Sequence, residues 1–297
     1  MTAVIEVHDL AKKYKDTLAL DHISLSIEGG AIYGLLGRNG AGKTTLMSIL
    51  TAQNFATSGD VRVFGEHPYE NAGVLSRVCF VRESQKYPDD ATPRHAFTAA
   101  RLFFENWDQQ LAERLIADFD LPMKQTIKKL SRGQLSAVGV IIGIASRAEI
   151  TFFDEPYLGL DAVARQIFYD RLLEDYAAHP RTIILSSHLI DEIANLVERV
   201  IVIDRGRIIL DDDTDAVRDR AVTVVGTASE VDAWVGDREV LHRETLGRVA
   251  SVTVLGSVSE RERSDLVAAG LDLAPVSLQQ LIVRLTQKAD STDTEVS

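Results

Sequence analysis

Gly37-Arg38-Asn39-Gly40-Ala41-Gly42-Lys43-Thr44 fits the spacing G-x-x-x-x-G-K-[ST], between an apolar run and a segment of helical polarity. Glycines at these places let successive backbone N–H groups converge on one anion at a helix N-terminus, which is how a phosphate loop works. In such a loop Lys43 gives a point charge to the β- and γ-phosphates and the Thr44 hydroxyl ligates Mg²⁺, with Thr45 counted among the phosphate-binding residues. A second group stands far along the chain. Ile150-Thr151-Phe152-Phe153-Asp154-Glu155 is an apolar strand ejecting two carboxylates at its carboxyl end, where parallel sheets bind ligands. Asp154 is expected to hold Mg²⁺. Glu155, on the other side of the backbone, is placed to polarise a water for in-line attack on the γ-phosphorus.

These groups must be positioned by a parallel α/β unit. Residues 31–36 form a continuous apolar run and residues 44–50 carry helical polarity, giving strand, loop and helix in the required order. Residues 78–81, 150–153, 182–185 and 200–203 read as further buried strands. At the N-terminal edge Ile5, Val7 and then Ile23, Leu25, Ile27 alternate as antiparallel strands, separated by a polar segment with Lys12, Lys13 and Lys15. Residues 93–145 hold almost no strand signal. Thr92-Pro93 starts a helix, and helices near 93–106, 108–119 and 131–146 form an inserted lobe over about residues 90–148. The acidic run from Asp211 to Asp215 reads as a solvated turn, because like charges repel. Beyond it, 222–225 and 249–255 read as strands and 260–269 as a helix, and Leu278, Leu281, Ile282 and Leu285 share one helical face. The expected division is residues 1–218 as an α/β domain, 219–287 as a small α+β domain and 288–297 as a disordered tail.

The chain has 297 residues, 45% hydrophobic and 26% charged, which excludes disordered, collagenous and disulfide-scaffold classes. Its net charge of -12 would repel a phosphate backbone, so nucleic acid is not an expected partner. A single cysteine, Cys79, read as a small buried hydrophobe, makes no internal disulfide, and the start lacks the features of a secretion signal. The most apolar stretch, residues 138–145, is far short of the roughly 20 residues a spanning helix needs. The expectation is a cytosolic chain that crosses no membrane itself and is free to dock on one.

Leu130-Ser131-Arg132-Gly133-Gln134 resembles the signature of ABC-type ATPases, usually L-S-G-G-Q, and lies between the phosphate loop and Asp154-Glu155 in that family's order. The resemblance covers about residues 3–215. It implies an α/β fold, namely a P-loop ABC-type ATPase domain with an antiparallel edge subdomain and an inserted helical lobe, here followed by the small C-terminal α+β appendix. It implies ATP and Mg²⁺, with Glu155 and His188 as the catalytic pair, His188 matching the switch histidine that contacts the γ-phosphate. Tyr14 matches the aromatic residue that stacks on adenine, and Asp161, in Gly159-Leu160-Asp161, the aspartate that communicates between subunits.

Three departures stand out. Arg132 replaces the first signature glycine. Tyr157 sits where a small polar residue is common. The family's glutamine loop follows a strand, and here strand 78–81 is followed by Arg82-Glu83-Ser84-Gln85. Strand register favours Glu83. Chemistry leans to Gln85 as the Mg²⁺ and γ-phosphate sensor, since another carboxylate near Asp154 and Glu155 adds like-charge repulsion.

In the family, ATP is sandwiched between the phosphate loop of one subunit and the signature of the other, here Ser131, Arg132, Gly133 and Gln134. The partners so implied are a second copy of the chain, or a paralogous ATPase, and an integral membrane permease. The pattern resembles the ATPase subunits of two-component exporters, placing the chain peripherally on the cytoplasmic face of the membrane. The alternatives are an importer's ATPase and a soluble ABC ATPase acting on ribosomes or DNA, the latter disfavoured by the acidic charge and by the absence of a second ATPase domain or long coiled coil.

Overall fold

The computed structural model describes residues 2–283 apart from Ser84. The chain divides into two compact units, one formed by Met1–His188 with Leu196–Asp211, the other by Leu189–Asn195 with the residues from Asp212 onward.

In the first unit β1 (Ala3–Tyr14) and β2 (Thr17–Glu28) form an antiparallel hairpin. β3 (Ile32–Leu36) then leads through the glycine-rich loop into α1 (Lys43–Leu50), and β4 (Ser58–Val63) returns to pair with β1. After α2 (Ala72–Leu75) and β5 (Val78–Arg82) the chain leaves the sheets for α3 (Pro93–Phe103), α4 (Gln109–Asp118) and α5 (Arg132–Ala145). It re-enters with β6 (Ile150–Asp154), α6 (Ala162–Ala178) and β7 (Thr182–Ser187). The short α7 (Ile190–Ile193) counts with the second unit, and β8 (Arg199–Asp204) and β9 (Arg207–Asp213) follow it. Helices start where side chains satisfy their free N–H groups: Pro93 opens α3 behind Thr92, Asp108 caps α4, and Ser131 and Gln134 close a reciprocal capping box on α5.

The central sheet has the order β5-β6-β7-β3-β8-β9, with parallel pairing from β5 through β8. Every residue of β3, β6 and β7 is buried, as strands covered on both faces require. Register decides the site. Arg82 pairs with Asp154, Asp154 with Ser186, and Leu36 with Ser187, so the residues that follow these strands emerge along one edge. One apolar cluster ties this sheet to the antiparallel one through α1: Ile5, Leu20 and Ile23 pack with Leu46, Met47 and Leu50 and with Phe152 and Ile201. Cys79 is buried in β5, and burial pushes its thiol up to about 12.

The second unit continues with α8 (Thr214–Arg218), β10 (Ala221–Thr227), α9 (Ala228–Val235), β11 (Val240–Leu246), β12 (Val249–Leu255), α10 (Glu260–Ala268) and β13 (Asp272–Pro275). Its antiparallel sheet has the order β11-β12-β10-β13, and Val224, Val252 and Val254 pack with Val231 of α9 and Leu266 of α10, an α+β arrangement. Leu278, Leu281 and Ile282 are buried on helical backbone; Leu285 and the 288–297 tail lie outside the described residues.

The acidic run is not a turn. Asp211 to Asp213 complete β9, and Asp215 sits in the first turn of α8, where a negative charge suits the helix dipole. Basic partners remove the repulsion that argued for a turn: Arg199 lies 3.9 Å from Asp211, and Arg220 pairs with Asp212. Likewise, of the polar segment expected between the edge strands, Lys12 and Lys13 are part of β1, and Lys15 lies between β1 and β2.

Candidate nucleotide site

A cavity of about 540 Å³ opens at the carboxyl edge of the parallel sheet, walled by residues 39–45 with Ala19, Glu83, Asp154, Glu155, Leu158 and His188. Its floor is the stretch from Asn39 to Thr45, the end of the glycine-rich loop and the start of α1. Gly42 caps α1 with φ of 115° and, among the described residues, without any side-chain cap, which leaves the first N–H groups of the helix open to an anion. A Cβ there would lie 2.7 Å from the Ala19 carbonyl, and one at Gly37 only 2.2 Å from the Ile203 carbonyl, so the loop passes where no side chain fits.

Lys43 is 5% exposed. Its Nζ donates to the Gly37 and Arg38 carbonyls at 2.7 and 3.3 Å and lies 3.4 Å from Glu155 Oε1. Thr44 Oγ1 donates to Asp154 Oδ2 at 2.7 Å, and Ser186 Oγ donates to Asp154 Oδ1 at 2.8 Å. A hydroxyl and a carboxylate side by side are hard oxygen donors of the kind Mg²⁺ takes, completed in such sites by phosphate and water. That donor set also explains why, among the described residues, no cluster of several His, Cys, Asp or Glu side chains marks a metal site.

Glu155 has a φ of 48°, an uncommon conformation for a residue with a side chain, and its amide donates to Ser186 Oγ at 3.0 Å. The reversal separates adjacent acids: Asp154 faces Thr44, while Glu155 Oε2 lies 3.0 Å from His188 Nδ1. Tyr157, 1% exposed, holds this arrangement from behind. Its hydroxyl bonds Ser187 Oγ at 2.9 Å and accepts the His188 amide at 3.3 Å. Ser186 and Ser187 belong to no motif, the adjacent serines ending the apolar run of β7 being their only signal, while Tyr157, a departure from the family pattern, takes its role here from the hydrogen bonds to Ser187 and His188.

The remaining expected residues fall into two groups. Glu83 is on the cavity wall; Gln85 is exposed and not among the lining residues. Tyr14, half-exposed near the end of β1, lies outside the lining residues too; Lys12 Nζ sits 4.7 Å over its ring and Asn54 donates to its hydroxyl. The signature forms a separate surface. Ser131 Oγ accepts the Gln134 amide at 3.2 Å and Gln134 Oε1 accepts the Ser131 amide at 3.0 Å, while Asp161 caps α6 by accepting the Ala164 amide at 2.8 Å. A Cβ on Gly133 would stand 2.8 Å from the Gly159 carbonyl, and Ser136 Oγ donates to the Leu158 carbonyl at 2.6 Å, so the signature helix is seated on the loop that follows Glu155.

The family described as ABC transporter matches residues 20–158. The chain is 31% identical over 213 residues to the bacitracin transport ATP-binding protein BcrA of Bacillus licheniformis, covering 70% of this chain and 69% of that protein. It is 29% identical over 213 residues to the Nod factor export ATP-binding protein I of Cupriavidus metallidurans, with 70% of each chain covered. Its fold is similar to a solved dimeric ATP-binding cassette in a post-hydrolysis state bound to ADP and Pi, with a TM-score of 0.62 at 18% identity over 71% of this chain and 98% of that one.

Proposed function

The chain belongs to the family of ABC transporter ATP-binding proteins, and from that premise we propose how its residues perform ATP hydrolysis coupled to transport through a separate membrane permease. The observation that carries the reading is the convergence of Lys43, Thr44, Asp154, Glu155 and His188 on one cavity.

Phosphate oxygens replace the carbonyl acceptors of Lys43, and the amides at the head of α1 take the β-phosphate. Drawing Lys43 to phosphate frees Glu155 from it. Glu155, held by His188, then accepts a proton from the attacking water as the new oxygen–phosphorus bond forms and the bond to the ADP oxygen breaks. His188 is the residue assigned to the γ-phosphate. Thr44 and Asp154 would hold Mg²⁺, which when bound neutralises charge on the phosphate oxygens. Of the two candidates in the loop after β5, Glu83 is assigned to sense the metal and γ-phosphate, supported by its position on the cavity wall.

The signature lies outside this cavity, which supports a sandwich in which a second copy supplies Ser131 and Gly133 to each ATP. Among the described residues no helix is long and apolar enough to cross a membrane; the likeness to a bacitracin transport ATP-binding protein supports a separate permease as partner, with this chain on the cytoplasmic face. A relative named for Nod factor export supports export as the direction. The test is Glu155→Gln: steady-state phosphate release falls about 10²–10⁴-fold while calorimetry finds ATP affinity kept. Near-normal turnover would overturn the assignment.

A further inference from the structure

Two departures from the family pattern meet in space. Arg132 stands where the signature has a glycine, Glu83 where the register after β5 expects a glutamine, and Arg132 Nη2 donates to Glu83 Oε1. Glu83 adds a third carboxylate to a wall that already carries Asp154 and Glu155, which by itself opposes the entry of phosphate. Arg132 neutralises it, reaching from the first turn of α5 across Gly159, whose missing side chain makes the path: a Cβ there would lie 2.7 Å from Arg132 Cγ. The ion pair thus ties the loop after β5 to the signature, with Arg132 packed over Gly159 of the loop before α6.

On the reading that two copies close over ATP, we propose that Arg132 exchanges partners: it holds Glu83 of its own chain when the dimer is open, and moves to the γ-phosphate bound by the other chain when the dimer closes. The exchange releases the Glu83 carboxylate toward Thr44 and Asp154, the residues that would hold Mg²⁺. The physical ground is the unequal strength of the two contacts. The pair is open to water, with Arg132 67% and Glu83 39% exposed, and exposed pairs are weak and screened by salt. A guanidinium on phosphate in a closed interface is a charge-assisted, forked contact in low dielectric. A glycine at the signature position offers neither contact, so both arms of the exchange depend on Arg132.

The test uses the full chain carrying Glu155→Gln, with ATP and Mg²⁺ titrated and dimer formation followed by light scattering. Adding Glu83→Gln breaks the pair and leaves Arg132 available, and the ATP concentration at half-dimerisation falls about threefold to tenfold. Adding Arg132→Gly breaks the same pair and removes the cation, and the midpoint rises about tenfold or more. Arg132→Lys, which keeps the charge without the fork, falls between Arg132→Gly and the parent. Shifts of the same sign in Glu83→Gln and Arg132→Gly, or no shift in either, would overturn the exchange. Absence of any ATP-dependent dimer in the Glu155→Gln chain before these substitutions would overturn the closing-dimer reading on which it rests, and is thereby told apart.

Discussion

Lys43 and Arg132 are both cations assigned to phosphate, yet one is 5% exposed and the other 67%. Lys43 is locked by the Gly37 and Arg38 carbonyls at the head of a helix whose apolar face is part of the core. Arg132 rests on a capped helix end, paired with the Glu83 carboxylate of its own chain. The phosphate loop is preorganised inside one chain; on the proposed sandwich the signature is desolvated only against a second copy. On the proposed sandwich, half of the catalytic site is a property of the fold and the other half a property of an encounter.

Substitution on each side breaks the comparison in a different way. Lys43→Ala removes a charge-assisted contact made in the single chain, and ATP affinity by calorimetry falls about tenfold to a hundredfold. Ser131→Arg leaves that affinity within about twofold and abolishes ATP-dependent dimerisation. Mixing the two variants sharpens the point: the mixed dimer keeps one intact phosphate loop facing one intact signature, so light scattering recovers ATP-dependent dimer that neither variant forms alone. Equal loss of ATP binding in both variants would show that the two halves act within one chain.

Gly143→Ala tests the mechanical link between the halves, since a Cβ there would stand 2.4 Å from Phe153 Cε1, on the strand that carries Asp154. Overpacking at a buried helix–sheet contact costs about 1–3 kcal/mol, read as a lower urea midpoint. Tyr157→Phe removes the acceptor of the His188 amide and the partner of Ser187, with a loss of about 1–2 kcal/mol and a severalfold fall in kcat. Gln85→Ala has the smallest effect: the residue is exposed and off the cavity wall, so ATP affinity stays within about twofold. A larger loss would return the metal-sensing role from Glu83 to Gln85.

Much of the site was legible before any coordinates because its chemistry is contiguous in sequence. The octapeptide from Gly37 to Thr44 contains its own turn, donors, cation and hydroxyl, and the apolar strand ending in Asp154-Glu155 carries its own address, since buried parallel strands present ligands at their carboxyl ends. The inserted helices were visible from Thr92-Pro93 and from the cap at Ser131, both local hydrogen-bonding devices. The acidic run was misread because its neutralising partners, Arg199 and Arg220, come from outside the run. In the second unit α9, β11 and β13 carried too weak a period to stand out.

What the sequence alone determined is therefore the set of groups proposed to bind phosphate and polarise water, because short-range spacing and backbone freedom dictate them. Only tertiary structure decided which of Glu83 and Gln85 reaches the cavity, that Tyr157 holds the turn at His188 across 31 positions, and that Arg132 meets Glu83 across 49. Those outcomes depend on the register of β5, β6 and β7 and on the seating of α5, which are set by packing between segments far apart in the chain and leave no periodic trace in any one of them.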